Sequence, residues 1–346
     1  MRFGYWTPIF GGWLRNVADE NTPLTFEHIK LISQTAERVG FDLTLIPELN
    51  LNDIKGYAGP ALDAWALTAA VAAVTSKIEI MTALRPSYHP PALTAKQAAT
   101  IQEIAGGRFT LNLVSAWWAE EARQYGVPFK KHDDRYAVTQ EYVDVLRGLW
   151  SQTPFSHDGA NYQLDGTYLE PKPSVQPLIY AGGESEAGRN AISNFAEAYL
   201  THGGTVEELD TKITDMRRRR AEKGHAPFAH FGMAAYVIVR DTEAEALAEL
   251  DRITDVREGA AYDSYQDFVT KSQLDTAVDL KDYSVSNRGL RPNLVGTPEQ
   301  VAARIVEFEK VGVDVLLLQF SPMLSELERF AEQVIPLVRR GGNSPA

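Results

Sequence analysis

Cysteine is absent from this chain of 346 residues, which excludes disulfides, thiolate metal ligands and a cysteine nucleophile. No apolar run approaches the roughly 18 residues needed to cross a bilayer. Met1 to Phe10 carries one charge and then Trp6, Thr7 and Pro8, without a basic start, an apolar run and a cleavage site, so the expectation is a soluble cytoplasmic protein. Positive charge is scarce as well: 34 basic against 46 acidic side chains give a net charge of −12. That balance repels nucleic acid and anionic lipid alike and favours small-molecule partners. Neither a Gly-Lys-Ser/Thr phosphate loop nor a G-x-G-x-x-G followed by an acidic residue about 20 positions on is present, so neither ATP nor NAD is indicated. No pair of histidines or carboxylates has convincing metal-ligand spacing.

What is present is a regular alternation of short apolar runs and longer helical patterns, the pattern of parallel βα units. The strands fall at Phe3 to Trp6, Leu43 to Ile46, Ile78 to Ala83, Phe109 to Val114, Leu178 to Ala181, Ala198 to Thr201, Met233 to Val239 and Val313 to Leu317. Helices alternate with them, the first from Phe26 to a stop at Gly40, the last from Leu324 to Val338. One of them opens on Thr297-Pro-Glu-Gln300, a capping-box sequence. Eight such units describe a single TIM (β/α)8 barrel domain over residues 1–346; an open doubly wound sheet would carry a dinucleotide fingerprint after its first strand, where Thr7-Pro-Ile-Phe-Gly-Gly12 stands instead. Two stretches break the rhythm. Residues 153–177 read as a surface hairpin insertion, with turns at Asp158-Gly159 and Asp165-Gly166. Residues 255–295 form a polar insert too long for an ordinary barrel loop, read as a lid over the active face, with a static helical insertion as the alternative.

Within this frame, Tyr180-Ala-Gly-Gly-Glu-Ser-Glu-Ala-Gly-Arg-Asn-Ala191 runs a strand through two glycines into a serine at a helix start. Gly182 and Gly183 allow close backbone approach, Ser185 offers a hydroxyl, and the first helical turn presents free N–H groups, which together suit a phosphate. A plain strand-to-helix turn capped by Ser185 remains open. His202 stands at the end of the sixth strand, the face where barrel chemistry occurs, with a structural loop histidine as its alternative. Arg217 to Arg220 reads as a solvated helix face.

Taken together, Ala83-Leu-Arg-Pro-Ser87, Lys96-Gln-Ala-Ala-Thr100, Gly106-Gly-Arg108, Leu111-Asn-Leu-Val-Ser115, His132-Asp-Asp-Arg-Tyr136, Ala181-Gly-Gly-Glu-Ser185 and Leu294-Val-Gly-Thr-Pro-Glu299 resemble the bacterial-luciferase-like, FMNH2-dependent monooxygenases. Within them the likeness is strongest to the alkanesulfonate, dimethylsulfone and pyrimidine group. The resemblance implies a TIM barrel that takes FMN, as FMNH2, from a separate NAD(P)H-dependent flavin reductase, forms a flavin peroxide with O2 and works as a homo-oligomer. It implies that Asn112 lies beside the reactive edge of the flavin. Glu48, Leu49, Ser115 and Glu121 become further cofactor contacts, and Arg135, Tyr136, Gly183 and Ser185 the phosphate cradle. His202, Arg288 and Arg291 are expected to face the substrate, the arginines on closure of the insert.

The chain departs from the alkanesulfonate pattern at Phe10, Ala234, Tyr236, Ser321 and Met323, where polar or cationic residues are expected. An anionic sulfonate needs charge-assisted donors, for which Arg85, Arg288 and Arg291 remain. Phe10, Trp117, Trp118, Ala234 and Tyr236 nonetheless make the pocket more apolar, so C–S cleavage of a sulfone or alkanesulfonate is the expected reaction. The alternatives are a pyrimidine-type monooxygenase using a flavin-N5 peroxide, an F420-dependent oxidoreductase on the same barrel, and a non-enzymatic flavin storage protein.

Overall fold

The computed structural model describes residues 1–115, 118–128, 132–256, 259, 262–263 and 281–341. In chain order the elements are β1 (Arg2–Trp6), α1 (Phe26–Val39), β2 (Leu43–Ile46), α2 (Ala64–Val74), β3 (Glu79–Leu84), α3 (Pro91–Ala105), β4 (Phe109–Val114), α4 (Ala119–Gln124) and α5 (His132–Ser151). The hairpin strands β5 (Phe155–Asp158) and β6 (Gln163–Thr167) follow, then β7 (Ile179–Gly182), α6 (Glu186–Phe195), β8 (Ala198–Thr201), α7 (Val206–Glu222), β9 (His230–Val239) and α8 (Glu243–Thr254). Last come β10 (Leu294–Gly296), α9 (Pro298–Lys310), β11 (Val315–Gln319), α10 (Met323–Gln333) and α11 (Ile335–Gly341).

Eight of these strands are parallel and close on themselves in the order β1-β2-β3-β4-β7-β8-β9-β11, with β11 returning to β1; β10 pairs only with β9. This is the TIM barrel expected from the sequence. Its helix boundaries follow local chemistry. Thr25 caps α1 and Gly40 ends it in the left-handed region at φ 97°, while Thr297 and Gln300 close the expected capping box on α9. Strand side chains alternate between two cores. Leu43, Leu45, Met81, Tyr180, Leu200, Val315 and Leu317 fill the barrel, and Phe3, Tyr5, Ile46, Ile80, Phe109 and Leu111 pack outward against the helices.

The register fixes which residues reach the mouth. Trp6 pairs with Leu45, Asn112 with Ala83 and Tyr180, and Gln319 stands two residues beyond Leu317, so all three share the inward face at the C-terminal ends of their strands. The opposite end is plugged by a polar layer. Arg2 donates to Glu79 at 2.8 Å and to Tyr180 at 3.3 Å, Thr110 donates to Glu79 at 2.9 Å, and His230 meets Asp314 at 2.8 Å.

Several expectations are corrected. Asp165-Gly166 is not a turn: Gly166, at φ 55°, lies inside β6, where its N–H meets Ser156 Oγ opposite an irregular register, so the glycine serves a bulge. The final helix is two helices, because Pro336 has no N–H with which to continue α10 beyond Val334. The last barrel strand begins at Val315 rather than Val313, since Asp314 is used to bind His230 and the Phe231 N–H. Much of the 255–295 insert, residues 257–258, 260–261 and 264–280, lies outside the described residues. Its end is built into the barrel: Leu14 bridges Val285, Arg15 N–H donates to the Ser284 carbonyl at 3.1 Å, and Tyr236 N–H donates to the Gly289 carbonyl at 2.7 Å.

Candidate active site

At the barrel mouth three inward side chains hold buried polar atoms with no hydrogen-bond partner among the described residues: Trp6 Nε1, Asn112 Oδ1 and Gln319 Oε1. Each such atom costs about 1–3 kcal/mol if nothing meets it. Three such atoms on inward-facing side chains of β1, β4 and β11 mark a place where a ligand supplies the missing partners. Gln319 is held by its other end, which donates to Ser286 Oγ at 2.6 Å, so the insert's described portion positions a mouth residue. Aromatic walls surround the mouth: Trp13 meets Trp6 and Phe10 edge-on at 6.0 and 6.2 Å, and Trp118 packs on Tyr57 at 5.3 Å. Trp117 lies outside the described residues.

The β7 to α6 turn is a cradle of the expected kind. Ser185 caps α6 by accepting from Gly188 N–H at 3.1 Å, and Tyr136 Oη lies 3.3 Å from Ser185 Oγ. The glycines act here by allowing close approach rather than by an unusual turn. A Cβ at Gly183 would stand 3.3 Å from Tyr136 Oη, and one at Gly188 would stand 2.7 Å from it and 3.1 Å from Ser185 Oγ. Gly188 is thus the tightest point of the cradle, and the sequence reading passed over it.

Charge at the rim is organised in pairs. Arg85, fully buried, binds Glu121 through both terminal nitrogens and Glu48 through Nε and its backbone N–H; Glu48 also meets His89, and Glu121 takes the Asn50 N–H. Glu48 and Glu121, expected as cofactor contacts, therefore spend their carboxylates on this arginine, while Leu49 is half-buried against the core. Across the mouth, Glu184 binds Arg288, Lys212 at 2.9 Å and Thr201 Oγ1 at 2.6 Å. Burial alone would push the Glu184 carboxyl up, but the polar cluster of His202, Arg288 and Lys212 outweighs it and holds the group well below the usual carboxylate range. His202 Nδ1 stands 3.0 Å from Arg288 Nη2 and 3.7 Å from Glu184 Oε1, so the pair holds the imidazole ring in place. Arg291 binds Glu208 and, at 3.4 Å, Asp282. All three arginines left for an anionic substrate thus carry carboxylate partners, which the sequence reading did not foresee. Glu184 escaped that reading because the glycines and serine around it drew the phosphate argument; its position just before the helix cap was the available signal.

Beside the mouth lies a cavity of about 490 Å³. It is bounded by the proline-rich 86–91 turn, Ser115, the first turns of α5 at Arg135 and Thr139, and the hairpin tip at Asn161 and Tyr162. Ser115 Oγ lies 3.2 Å from Thr139 Oγ1. Arg135 and Tyr136, expected as one pair, diverge: Tyr136 turns to Ser185 and Arg135 lines this cavity.

Comparison with known proteins decides the family. The luciferase-like monooxygenase family model matches residues 1–315. The chain belongs to this family. An FMNH2-dependent dimethylsulfone monooxygenase of Pseudomonas putida is 35% identical, over 98% of this chain and 95% of that protein, and one of Pseudomonas fluorescens (strain Pf0-1) is 34% identical over 98% and 94%. Among solved structures, DmoA from Hyphomicrobium sulfonivorans superposes with a TM-score of 0.82 at 20% identity, covering 99% of this chain and 88% of that one. At that identity the match speaks for the barrel.

In this luciferase-like monooxygenase the structure brings Asn112, Ser115, Tyr136, Gly183, Ser185 and His202 to the C-terminal face. Glu48, Glu121, Arg288 and Arg291 become the charge framework around it. Among the described residues no histidine and carboxylate cluster could hold a metal ion, and no helix is long and apolar enough to cross a membrane.

Proposed function

We propose that this luciferase-like monooxygenase oxygenates a small neutral sulfone, of the dimethylsulfone type, and cleaves its C–S bond. The observation that carries the reading is the charge balance at the mouth: Arg85, Arg288, Arg291 and Lys212 stand against Glu48, Glu121, Glu184, Glu208 and Asp282, four cations to five carboxylates. A permanently anionic sulfonate bound among these groups would be desolvated beside four cations that each already carry a carboxylate partner. A neutral sulfone needs only hydrogen-bond donors, and the His202 ring, held between Arg288 and Glu184, is placed to supply one.

FMNH2 is the cofactor, and the residues present fit it. The orphaned Asn112 Oδ1 offers an acceptor at the mouth, and the Gly183, Ser185 and Gly188 turn with Tyr136 has the close-packed N–H and hydroxyl character of a phosphate site. Bound reduced flavin supplies the activation of O2 and the transfer of one oxygen atom. The chain's own residues orient and exclude. Asn112 fixes the reacting edge, Trp6, Trp13 and Phe10 keep water from the mouth, and Glu184 with Arg288 holds the His202 ring in place. A separate reductase delivers the reduced flavin, since nothing in the chain binds a dinucleotide by fingerprint.

With reductase, NADH, FMN and O2 supplied, dimethylsulfone should release formaldehyde with a kcat/KM at least tenfold above that for methanesulfonate. Glu184→Gln, which uncovers charge on Arg288, should narrow that gap. Preference of the unaltered enzyme for the sulfonate would overturn the reading.

A further inference from the structure

The geometry points to the hairpin insertion as part of the flavin site, with Tyr162 as a ligand-contacting residue and Glu141 as the residue that positions it. This rests on the flavin reading above. The cavity of about 490 Å³ that the hairpin tip closes has the size of pockets that take multi-ring ligands, whereas a small sulfone would fill only a fraction of it. Its walls are stiff. Pro86, Pro90, Pro91 and Pro128 line one side, each with a fixed φ, and the helical start of α5 lines another. Its lining joins the hydroxyl and guanidinium groups of Ser115, Thr139 and Arg135 to apolar prolines, a mixture that suits the polyol chain and ring edge of a flavin whose phosphate is held at the Ser185 cradle.

Tyr162 brings to this cavity a ring and a hydroxyl that other groups do not use up. Its ring packs edge-on to Tyr142 at 5.7 Å, and the Tyr142 hydroxyl is already donated to Thr94 at 2.6 Å. The Tyr162 hydroxyl makes no hydrogen bond among the described residues. Burial pushes this phenol up to about 12, with the Glu141 charge adding to the rise, so it stays neutral and able both to donate and to accept at physiological pH.

Tyr162 is held in place from the helix behind it. Glu141 on α5 accepts the Asn161 N–H at 3.0 Å, the Asn161 side-chain amide at 2.6 Å and the Tyr162 N–H at 2.8 Å, and lies 3.2 Å from His157 Nε2. One carboxylate thus ties the whole tip to the helix whose first turns line the same cavity. A hairpin serving only as a surface strut would not need its tip fixed to that helix by so many bonds.

The test is the dissociation constant of FMNH2, measured anaerobically by quenching of tryptophan fluorescence, with no turnover involved. Tyr162→Phe keeps the ring packed and removes only the hydroxyl; it should weaken binding about three- to tenfold, the worth of one hydrogen bond. Tyr162→Ala should weaken it further. Glu141→Ala should weaken it comparably to Tyr162→Ala, and the double variant should lose little more, since both act through the same contact. Should the alanine variants prove unstable, Tyr162→Phe carries the test alone. Equal affinity within twofold for the wild type and Tyr162→Phe would overturn the inference while leaving the flavin reading standing. A wild-type protein that binds no FMNH2 would overturn both.

Discussion

The two ends of the barrel are built from the same strands and use polar side chains in opposite ways. At the N-terminal end Arg2, Glu79, Thr110, Tyr180, His230 and Asp314 answer one another, each with a partner within 3.3 Å. At the C-terminal end Trp6, Asn112 and Gln319 point inward, each with an atom that has no partner among the described residues. A satisfied polar layer contributes rigidity, whereas an unsatisfied one costs stability unless something binds. The difference separates a closure from a site without reference to any relative.

The largest expected effect is at the open end. Asn112→Ala should lower kcat about a hundredfold, the usual scale for loss of one preorganised hydrogen-bonding group, while the thermal midpoint holds or rises because a buried orphan atom is gone. A drop in stability with activity intact would break the comparison. The mirror case is Glu79→Ala, which strands Arg2 and Thr110. It should cost about 1–3 kcal/mol in urea unfolding and leave kcat/KM of the folded fraction near wild type. The smallest effect tests a satisfied group outside the closed end. Burial pushes Glu141 up, but hydrogen bonds from Asn161, Tyr162 and His157 outweigh it and bring the carboxyl down to about 2. Its folded-state value lies below its unfolded one, so its contribution is fully present above about pH 4.5 and is lost as pH falls through about 2. Thermal midpoints between pH 5 and pH 2 should fall more steeply for the wild type than for Glu141→Gln. Parallel curves would show that the tip bonds contribute nothing to folding.

The barrel was legible because it is written in local terms. Leu43 to Ile46, Phe109 to Val114 and Ala198 to Thr201 have the bounds read from the sequence, and the helix that opens on Thr297 begins where its capping box was read, since apolar runs, caps and prolines act within a few residues. The Ser185 cap was legible for the same reason. What was not legible depends on distance in the chain. Nothing near Arg85 says that Glu48 and Glu121, 37 and 36 residues away, will take its charge, and nothing near Arg288 points to Glu184, 104 residues back. The arginines therefore read as uncommitted where the structure pairs each of them with a carboxylate. The hairpin was visible as an interruption, and its turn at Asp158-Gly159 too, but its contact with the cavity depends on Glu141 reaching Tyr162, 21 residues on.

The closing seam of the barrel carries a cost in time. β1 is flanked by β2 on one side and by β11 on the other, and its second partner begins only at Val315. At about 5–20 residues per second of synthesis, the first strand waits on the order of a quarter of a minute to a minute with one edge unpaired. For that interval the nascent chain offers a ready template for pairing with a neighbour. Yield from fast, crowded expression should therefore be limited by how well that edge is shielded on the ribosome, even though the finished barrel has no such edge.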